Sequence, residues 1–453
     1  MPPRDPPSAG PLTHRAILKL AVPVMISNVS TPLIGVVDTA VVGQIPDAAY
    51  IGAAAIGGLV FTFVFWGFGF LRMGTTGLTA QALGRRDLGE VATVLGRSLL
   101  IALAAGSVLI VAQWPIREAS FAAIHASPRV EGLARGYFDI RIWAAPAALA
   151  NYALLGWFIG LGRTDIGLIL QLVLNLTNMA LDILFVLGFG WGVRGVAFGT
   201  FTAEVCAAVI GTMIALRHLR GLGAHCSLRQ ILAPAALKRT FAVNGDIMIR
   251  TLALISAFLW FASQGARQGD VVLAANSILL QFISVAAFFL DGFAFSTEAL
   301  VGRAIGAAHR TGLTLAVKMT TAWAAGVAVL VSAVLLLCGP WIIDRLTVDW
   351  AARAAAQTYL PWAALAPLFG VWAFQLDGIF IGATQTADMR NAMLVSLGIY
   401  LAAWWLLRPF GNHGLWAAFY VHYAARTATL LRYYPKLVRA VPVQLTTAPQ
   451  RLG

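Results

Sequence analysis

Twelve long apolar runs, separated by turn or charge signals, divide this sequence of 453 residues. About twenty apolar residues cross the hydrocarbon core of a bilayer as an α-helix. Only 11% of the residues are charged, whereas an average soluble domain has roughly 25%. The sequence therefore predicts an all-α polytopic membrane protein with twelve transmembrane helices.

Basic residues are distributed unequally among the segments that connect the runs. If the N-terminus is cytoplasmic, 21 of the 32 Lys and Arg residues lie on the cytoplasmic side and eight on the opposite side. Because positive charge collects on the cytoplasmic side, we predict a multi-pass plasma-membrane protein, in the inner membrane of a bacterium, with both termini cytoplasmic. The net charge of +13 then needs no nucleic-acid partner, since no basic patch with interleaved aromatic residues is present.

An internal repeat divides the runs into two halves. Residues 81–84 (QALG) recur as residues 303–306 (RAIG), and residues 158–160 (FIG) as residues 380–382, both 222 positions later. Six helices per half give the halves the same orientation, so we expect two pseudo-symmetric six-helix lobes. The predicted divisions are a cytoplasmic N-terminal tail (1–15), an N-terminal lobe (16–219), a cytoplasmic linker (220–235), a C-terminal lobe (236–437) and a cytoplasmic C-terminal tail (438–453). Transporters and some duplicated channels are both built in this way.

Polar side chains follow one face of three helices in the first half. The stripes consist of Asn28, Thr31, Gly35 and Asp38 on the first run, Gln171, Asn175, Asn178 and Asp182 on the fifth, and Thr200 and Glu204 on the sixth. Because lipid cannot satisfy polar groups, the stripes should face one another. They predict a polar pocket within the N-terminal lobe, although interhelical hydrogen bonds that only hold the lobe together would give the same pattern.

Two carboxylates, Asp38 and Asp182, lie inside these apolar runs. An ionisable group in hydrocarbon costs at least about 2.5–3.5 kcal/mol on insertion scales, so it usually marks an ion path or a partner. Burial favours a protonated carboxyl group, and two neighbouring carboxylates favour one shared proton. When ionised, the pair together with Asn178 and Thr200 would offer oxygen ligands to Na⁺. We expect these four residues to form the coupling site for H⁺, Na⁺ or both, with no further cofactor.

Five more charged residues inside the spans are secondary candidates for a charged cleft. They are Asp246, Arg250, Asp291, Glu298 and Asp377. Asp246 and Arg250 are four residues apart, which is the spacing of an intrahelical ion pair, and we expect a structural ion pair rather than a charge relay. Asp291 and Glu298 are seven residues apart and could line the cleft or pair with an intramembrane arginine.

Six segments then carry a specific resemblance. They are residues 17–43, 70–87, 175–188, 244–250, 288–307 and 376–393. They closely resemble the multidrug and toxic compound extrusion family, best its DNA-damage-inducible F branch, over nearly the whole chain. The resemblance implies a two-lobed secondary transporter that exports drugs or other amphipathic compounds in exchange for H⁺ or Na⁺.

The resemblance also implies roles for single residues. The family's first-helix aspartate corresponds to Asp38, and its fifth-helix Asn-xxx-Asp motif corresponds to Asn178 and Asp182. A threonine on the sixth helix is best matched by Thr200. The sodium-coupled branch has a tenth-helix acid, matched by Asp377, but its seventh-helix glutamate has no counterpart in this sequence. A sodium site confined to the C-terminal lobe is therefore not expected.

The sequence argues against two other function classes. A lipid-linked precursor flippase of the same superfamily would favour a basic cavity, whereas the stripes are acidic and rich in amides. An enzyme is not expected, because HExxH, GxGD and GxSxG motifs do not occur. Without a Gly-Lys dipeptide there is no Walker A loop, so an ion gradient must drive transport. The expected partners are small amphipathic substrates and the lipid bilayer, with the chain as a monomer.

Overall fold

Helix is the only regular structure in the computed structural model of the protein, which describes residues 12–124, 126–224 and 226–442. Most of the two predicted tails lies outside these described residues. Within them, eleven helical stretches are long and apolar enough to cross a membrane. One stretch, Thr386–Arg439, contains two long helices joined by a 3₁₀ turn, Arg408–Phe410. The prediction of a twelve-helix membrane protein is thus confirmed.

The helices of the first half include two spans that are each built from two consecutive helices. The helices are α1 (His14–Val42), α2 (Ala48–Trp66), α3 (Phe70–Gly84), α4 (Leu88–Val111), α5 (Gln113–Ala123), α6 (Pro128–Arg141), α7 (Ala145–Gly160), α8 (Thr164–Asp182) and α9 (Gly192–Gly221). The second span consists of α2 and α3, and the fourth consists of α6 and α7. The short helix α5 lies between the third and fourth spans.

The second half begins with a single-turn helix and continues with six long ones. The helices are α10 (Leu228–Ile231), α11 (Pro234–Ala266), α12 (Asp270–Gly306), α13 (Arg310–Leu346), α14 (Trp350–Gly382), α15 (Thr386–Leu407) and α16 (Gly411–Arg439). The helix pair α15 and α16 packs as a hairpin. Gly411, with φ of 58°, supplies the left-handed backbone at the turn.

The described residues form two compact units. The first unit comprises residues 22–76 and 88–244, and the second comprises residues 12–21, 77–87 and 245–442. In the first unit, α8 packs along α9, α4 along α7, and α2 along α6. In the second unit, aromatic side chains from α11, α15 and α16 fill the core, with Phe261, Tyr400, Trp416 and Phe419 fully buried.

The internal repeat is visible in the backbone. Arg86 and Ala308, 222 positions apart, both have a left-handed φ, 59° and 53°. Gly162 and Thr384, also 222 positions apart, have φ of 70° and 54°. At each of the four positions, paired backbone hydrogen bonds close the preceding helix as a Schellman-type cap. The two halves therefore end equivalent helices in the same way.

The repeated motifs also contact each other. A Cβ atom at Gly84 would collide with the backbone of Arg303 and Gly306, and one at Gly306 would collide with the backbone of Gln81. Gln81 Nε2 also donates to the backbone oxygen of Gly382 at 3.0 Å. Such reciprocal contact between equivalent residues is what two-fold related repeats produce.

A π-helical segment follows α8 directly. Ile183–Gly188 continues the helix after Asp182 with wider backbone bonding, in which Phe189 N donates to Leu184 O at 3.0 Å. Single π turns inside helices frequently occur at functional sites. In this chain the π turn begins at the residue after a buried carboxylate.

Candidate functional site

Asp38 and Asp182 meet inside the first unit. Asp182, the last residue of α8, is fully buried, and Asp38 on α1 is partly buried. Their carboxyl groups lie within hydrogen-bonding range of each other. Two ionised carboxylates cannot donate to each other, so the contact is favourable only when a proton or another cation is held there.

Several oxygens of this site have no donor. Among the described residues, no protein N–H group and no hydroxyl donates to either oxygen of Asp182, to Oδ1 of Asp38 or to Oδ1 of Asn178. Leaving a buried polar atom unsatisfied costs about 1–3 kcal/mol. These oxygens are therefore acceptors available to a proton or to a small cation.

Asn178 and Thr200 are held in a fixed orientation beside the pair. Asn178 Nδ2 donates to Thr200 Oγ1 at 3.1 Å, and Thr200 Oγ1 donates to the backbone oxygen of Val196 at 3.0 Å. Because the amide nitrogen is engaged, the amide presents its oxygen as the free acceptor. The structure thus brings together the four residues that the sequence proposed for the coupling site.

Gly199 on α9 allows the helix backbone to reach Asp182. A Cβ atom at this position would collide with Asp182 Oδ1 and crowd the backbone nitrogen of Asp182. Only glycine lets α9 approach the carboxylate this closely. Nothing in the single sequence singled out this glycine, because the contact joins two different helices.

The polar side chains at the other end of the stripe on α8 have hydrogen-bond partners. Gln171 Nε2 donates to Asn175 Oδ1 at 2.8 Å, and Asn175 Nδ2 donates to Ser30 Oγ at 2.9 Å. Ser30 in turn donates to the backbone oxygen of Ser27 at 2.7 Å. This part of the stripe fastens α8 to α1, and the contact on α1 is made by Ser30, a residue outside the predicted stripe.

A pair of oppositely charged side chains, Arg141 and Glu204, lies in the same unit. Arg141 Nη1, on α6, donates to Tyr137 Oη at 2.6 Å, and Arg141 Nη2 lies 3.7 Å from Glu204 Oε1. The guanidinium carbon lies 5.0 Å from the ring centre of Phe61. Asn151 Nδ2 donates to the backbone oxygen of Glu204 at 3.0 Å. The sequence placed Glu204 on a stripe of the predicted polar pocket but assigned neither Glu204 nor Arg141 to the coupling site, although a lone arginine within an apolar run is a signal in itself.

In the second unit, Asp377 is bound by two arginines. Arg250 on α11 and Arg426 on α16 both donate to Asp377 Oδ2. The three side chains are no more than 10% exposed. Two guanidinium groups beside one carboxylate repel any further cation, so Asp377 is not arranged to bind one.

The predicted ion pair between Asp246 and Arg250 is wrong. Asp246 Oδ1 instead accepts from Arg390 at 2.6 Å, and its Oδ2 accepts from Thr386 at 3.1 Å. Arg250 bonds to Asp377. Both residues bond to other helices, Asp246 to α15 and Arg250 to α14, because the helix packing brings those side chains within hydrogen-bonding distance.

The remaining charged candidates lie on α12. Glu298 is buried, and Asp291 is partly buried, close enough to Arg426 for its charge to act on that guanidinium. Of the five secondary candidates, Arg250 and Asp377 thus form part of one charged cluster, and Asp291 lies near it. Asp246 belongs to a separate cluster with Arg390.

One further charged network joins α5, which lies between the third and fourth spans, to α6 at the start of the fourth span. Arg135 donates to both oxygens of Glu118, at 2.7 and 2.9 Å, and to Glu131 at 2.9 Å. Arg117 donates to Asp139 at 2.8 Å. The Arg135 guanidinium holds the pKa of Glu118 below its usual range. These contacts fasten the short helix α5 to α6.

A repeated bundle of membrane-spanning helices occurs in transporters and in some duplicated channels, and a buried carboxyl pair in one unit is typical of ion-coupled transporters. The chain belongs to the MatE family, whose model matches residues 23–184 and 247–405. The matched segments contain Asp38, Asp182 and Asp377. The protein is therefore a multi-pass membrane protein of the multidrug and toxin extrusion type.

Individual relatives agree with this assignment. DNA damage-inducible protein F of Escherichia coli is 37% identical over 92% of this chain and 91% of its own length. A probable multidrug resistance protein NorM of Rhizobium meliloti is 27% identical over 95% of both chains. An outward-facing multidrug resistance MATE family transporter of the MOP superfamily has the same fold, with a TM-score of 0.85 at 19% identity, covering 94% of this chain and 96% of its own.

Proposed function

We propose that the protein is a secondary antiporter that exports amphipathic, often cationic, compounds in exchange for H⁺, Na⁺ or both. Relatives that are named for multidrug resistance support the substrate class. The distribution of basic residues supports a place in the bacterial inner membrane with both termini cytoplasmic. We expect the monomer to perform the whole cycle, since one chain carries both repeats.

The buried carboxyl pair is the observation that carries this proposal. Asp38 and Asp182 lie within hydrogen-bonding range of each other, and their buried oxygens lack other donors among the described residues. A cation that arrives from outside would neutralise the pair and displace the substrate, so competition provides the coupling. One charge that moves through 100 mV contributes about 2.3 kcal/mol, enough for a roughly fifty-fold gradient.

The geometry favours H⁺, and Na⁺ is the alternative coupling ion. A shared proton satisfies two facing carboxyl groups directly. A sodium ion would use the carboxylates together with Asn178 Oδ1 and Thr200 Oγ1, and Oγ1 already accepts a hydrogen bond from Asn178. Asp377 is a poor alternative site because Arg250 and Arg426 occupy its carboxylate.

Replacement of Asp38 by Asn tests the site. We expect Asp38→Asn to insert normally and to lose ethidium efflux in everted vesicles, because an amide neither takes up nor releases the coupling ion. A matched control is Asp165→Asn on α8, whose carboxylate pairs with Arg163 at 2.8 Å and is 47% exposed. It should transport as the wild type does. Wild-type efflux by Asp38→Asn would contradict the proposal.

Purified protein in proteoliposomes identifies the coupling ion. A pH gradient and a sodium gradient are imposed one at a time, and export of an organic cation is followed. A lipid-linked precursor is assayed in parallel, so that a flippase is distinguished from an exporter. We expect the pH gradient to drive export of the organic cation and the lipid-linked compound to remain in place.

A further inference from the structure

We propose, on the basis of the proposed orientation in the membrane, that the linker (220–235) and the start of α11 form a fixed docking site for anionic phospholipids of the cytoplasmic leaflet. Basic side chains bind the phosphate groups of these lipids, and two exposed leucines contact their acyl chains. The site adds a lipid partner to the proposed transporter and takes no part in the chemistry of the coupling ion.

The chain around the linker carries positive charge only. Between Glu204 and Asp246 the sequence contains no aspartate and no glutamate. The same stretch contains five basic residues, all of them exposed: Arg217, Arg220, Arg229, Lys238 and Arg239. Clusters of Lys and Arg directly beside the end of a membrane-spanning helix attract anionic lipid headgroups.

The linker stays at the level of the membrane surface, because both of its ends are ends of spans. The sixth span ends at Gly221, and the seventh begins at Pro234. Between them, Leu228 and Leu232 lie one helical turn apart and are 70% and 45% exposed. Leucines exposed beside basic side chains are typical of segments that lie in the membrane interface.

The linker is held against α4. Arg97 Nη2 donates to the backbone oxygen of Gln230 at 3.3 Å, while the same guanidinium donates to both oxygens of Glu90 at 3.0 and 3.2 Å. A Cβ atom at Gly96 would lie 2.6 Å from Cδ1 of Ile231. Ile231 thus packs where only glycine leaves room, and this contact turns one side of α10 towards the helix bundle.

A capping box closes the start of α10. Gln230 N donates to Ser227 Oγ at 3.3 Å, and Ser227 N donates to Gln230 Oε1 at 2.9 Å. A helix of one turn is not stable by itself in water, so these bonds and the contacts with α4 maintain it. Side chains on a fixed segment lose less conformational entropy when they bind a ligand than those on a mobile loop. The docking site is therefore preorganised.

The combination of groups favours a lipid over a soluble anion. Free phosphate or an acidic protein segment would use the positive charges of Arg229 and Lys238 alone. A phospholipid also covers Leu228 and Leu232, which water would otherwise contact. Burial of this apolar surface adds to the attraction between the charges.

The lipid that the full-length protein retains in detergent tests the site. Dioleoyl-phosphatidylglycerol and dioleoyl-phosphatidylcholine are added at equal concentration, and native mass spectrometry measures how much of each is bound. We expect the wild type to retain phosphatidylglycerol preferentially. One basic residue near an anionic surface contributes about five-fold in affinity. Arg229→Gln/Lys238→Gln should therefore weaken phosphatidylglycerol binding by at least about ten-fold and leave phosphatidylcholine binding unchanged.

Two further variants separate the docking site from charge in general. Ile231→Ala keeps every charge and removes the side chain that fixes α10 on α4, so we expect phosphatidylglycerol binding to weaken roughly three-fold. Arg267→Gln/Arg408→Gln also removes two exposed basic residues, but at the opposite ends of α11 and α15. This matched control should bind phosphatidylglycerol as the wild type does.

Equal retention of the two lipids by the wild type would overturn the proposal, and so would wild-type retention of phosphatidylglycerol by Arg229→Gln/Lys238→Gln. Unchanged binding by Ile231→Ala would contradict a fixed site. Inorganic phosphate that raises the unfolding temperature as much as phosphatidylglycerol would show that an anion alone is bound. Because lipid binding needs no ion gradient, a wild type that retains phosphatidylglycerol but exports no organic cation would reject the antiporter and keep the lipid site.

Discussion

The two repeats place opposite chemistry at equivalent positions. Trp260 and Trp404 lie 222 positions after Asp38 and Asp182, the same offset that separates the repeated motifs. The aspartates face each other in the first unit, and in the second unit the two indole rings pack edge to face with centres 5.2 Å apart. The duplicated fold has thus kept a contact between two helices. In the first unit two protonatable side chains make this contact, and in the second unit two aromatic side chains make it.

The buried carboxyl groups of the two units show the same inversion. Among the described residues of the first unit no side chain donates to either oxygen of Asp182, whereas two arginines share Asp377 in the second unit. Buried charges without enough partners are costly and usually mark function, while buried charges with partners hold a structure in one arrangement. We infer that the first unit takes part in ion coupling and that the cluster in the second unit is structural.

Loss of the carboxylate in the second unit should have the largest effect on stability. Asp377→Asn leaves Arg250 and Arg426 without their shared carboxylate, and such a loss costs about 3–5 kcal/mol. Unfolding of the purified protein in detergent measures this. Asp182→Asn should unfold no more readily than the wild type, yet lose transport. Equal stability of Asp377→Asn and the wild type would contradict a structural role for the charged cluster in the second unit.

Crowding the carboxyl pair should reduce transport while leaving the protein folded. Gly199→Ala pushes a methyl group against Asp182 Oδ1, and a small displacement of a reacting group lowers rates by roughly ten- to a hundred-fold. Ethidium efflux relative to the amount of protein in the membrane is the measurement. Gly58→Ala on α2, where a Cβ atom meets nothing within 4 Å, is the matched control and should transport normally.

Changing the tryptophan pair should affect stability but not coupling. Trp404→Phe weakens the edge-to-face contact with Trp260, and aromatic pairs of this kind contribute about 0.5–1.5 kcal/mol beyond their buried area. A small decrease in unfolding temperature with an unchanged pH profile of efflux is expected. An altered pH profile would mean that the second unit contributes to coupling.

Changing the charged network that joins α5 to α6 should have the smallest effect on stability. Because Arg135 holds the pKa of Glu118 below its ordinary value, the ionised carboxylate stabilises the fold above that ordinary value, and this contribution is lost as pH falls through the lowered pKa. Glu118→Gln should therefore differ slightly from the wild type at neutral pH and not at all in acid. Unfolding temperatures at several pH values test this, and transport should be unchanged.

The membrane class, the helix number, the repeat and the four coupling candidates can all be predicted from the amino-acid sequence. Each of these depends on local information, such as the length of an apolar run or the spacing of polar residues along one helix. Asp38 and Asp182 were recognisable because a charge in an apolar run is unusual wherever its partner lies. The same reasoning failed for Asp246 and Arg250, whose partners come from other helices.

The tertiary structure was needed to show which buried polar and charged side chains contact each other. It placed Arg141 3.7 Å from Glu204, brought the backbone of Gly199 against Asp182, and bound Asp377 with two arginines. These contacts join residues far apart in the chain, and their distances depend on how the helices pack. A helix pattern shows which face a side chain is on, but the energy of a buried charge depends on what the neighbouring helix brings to that face.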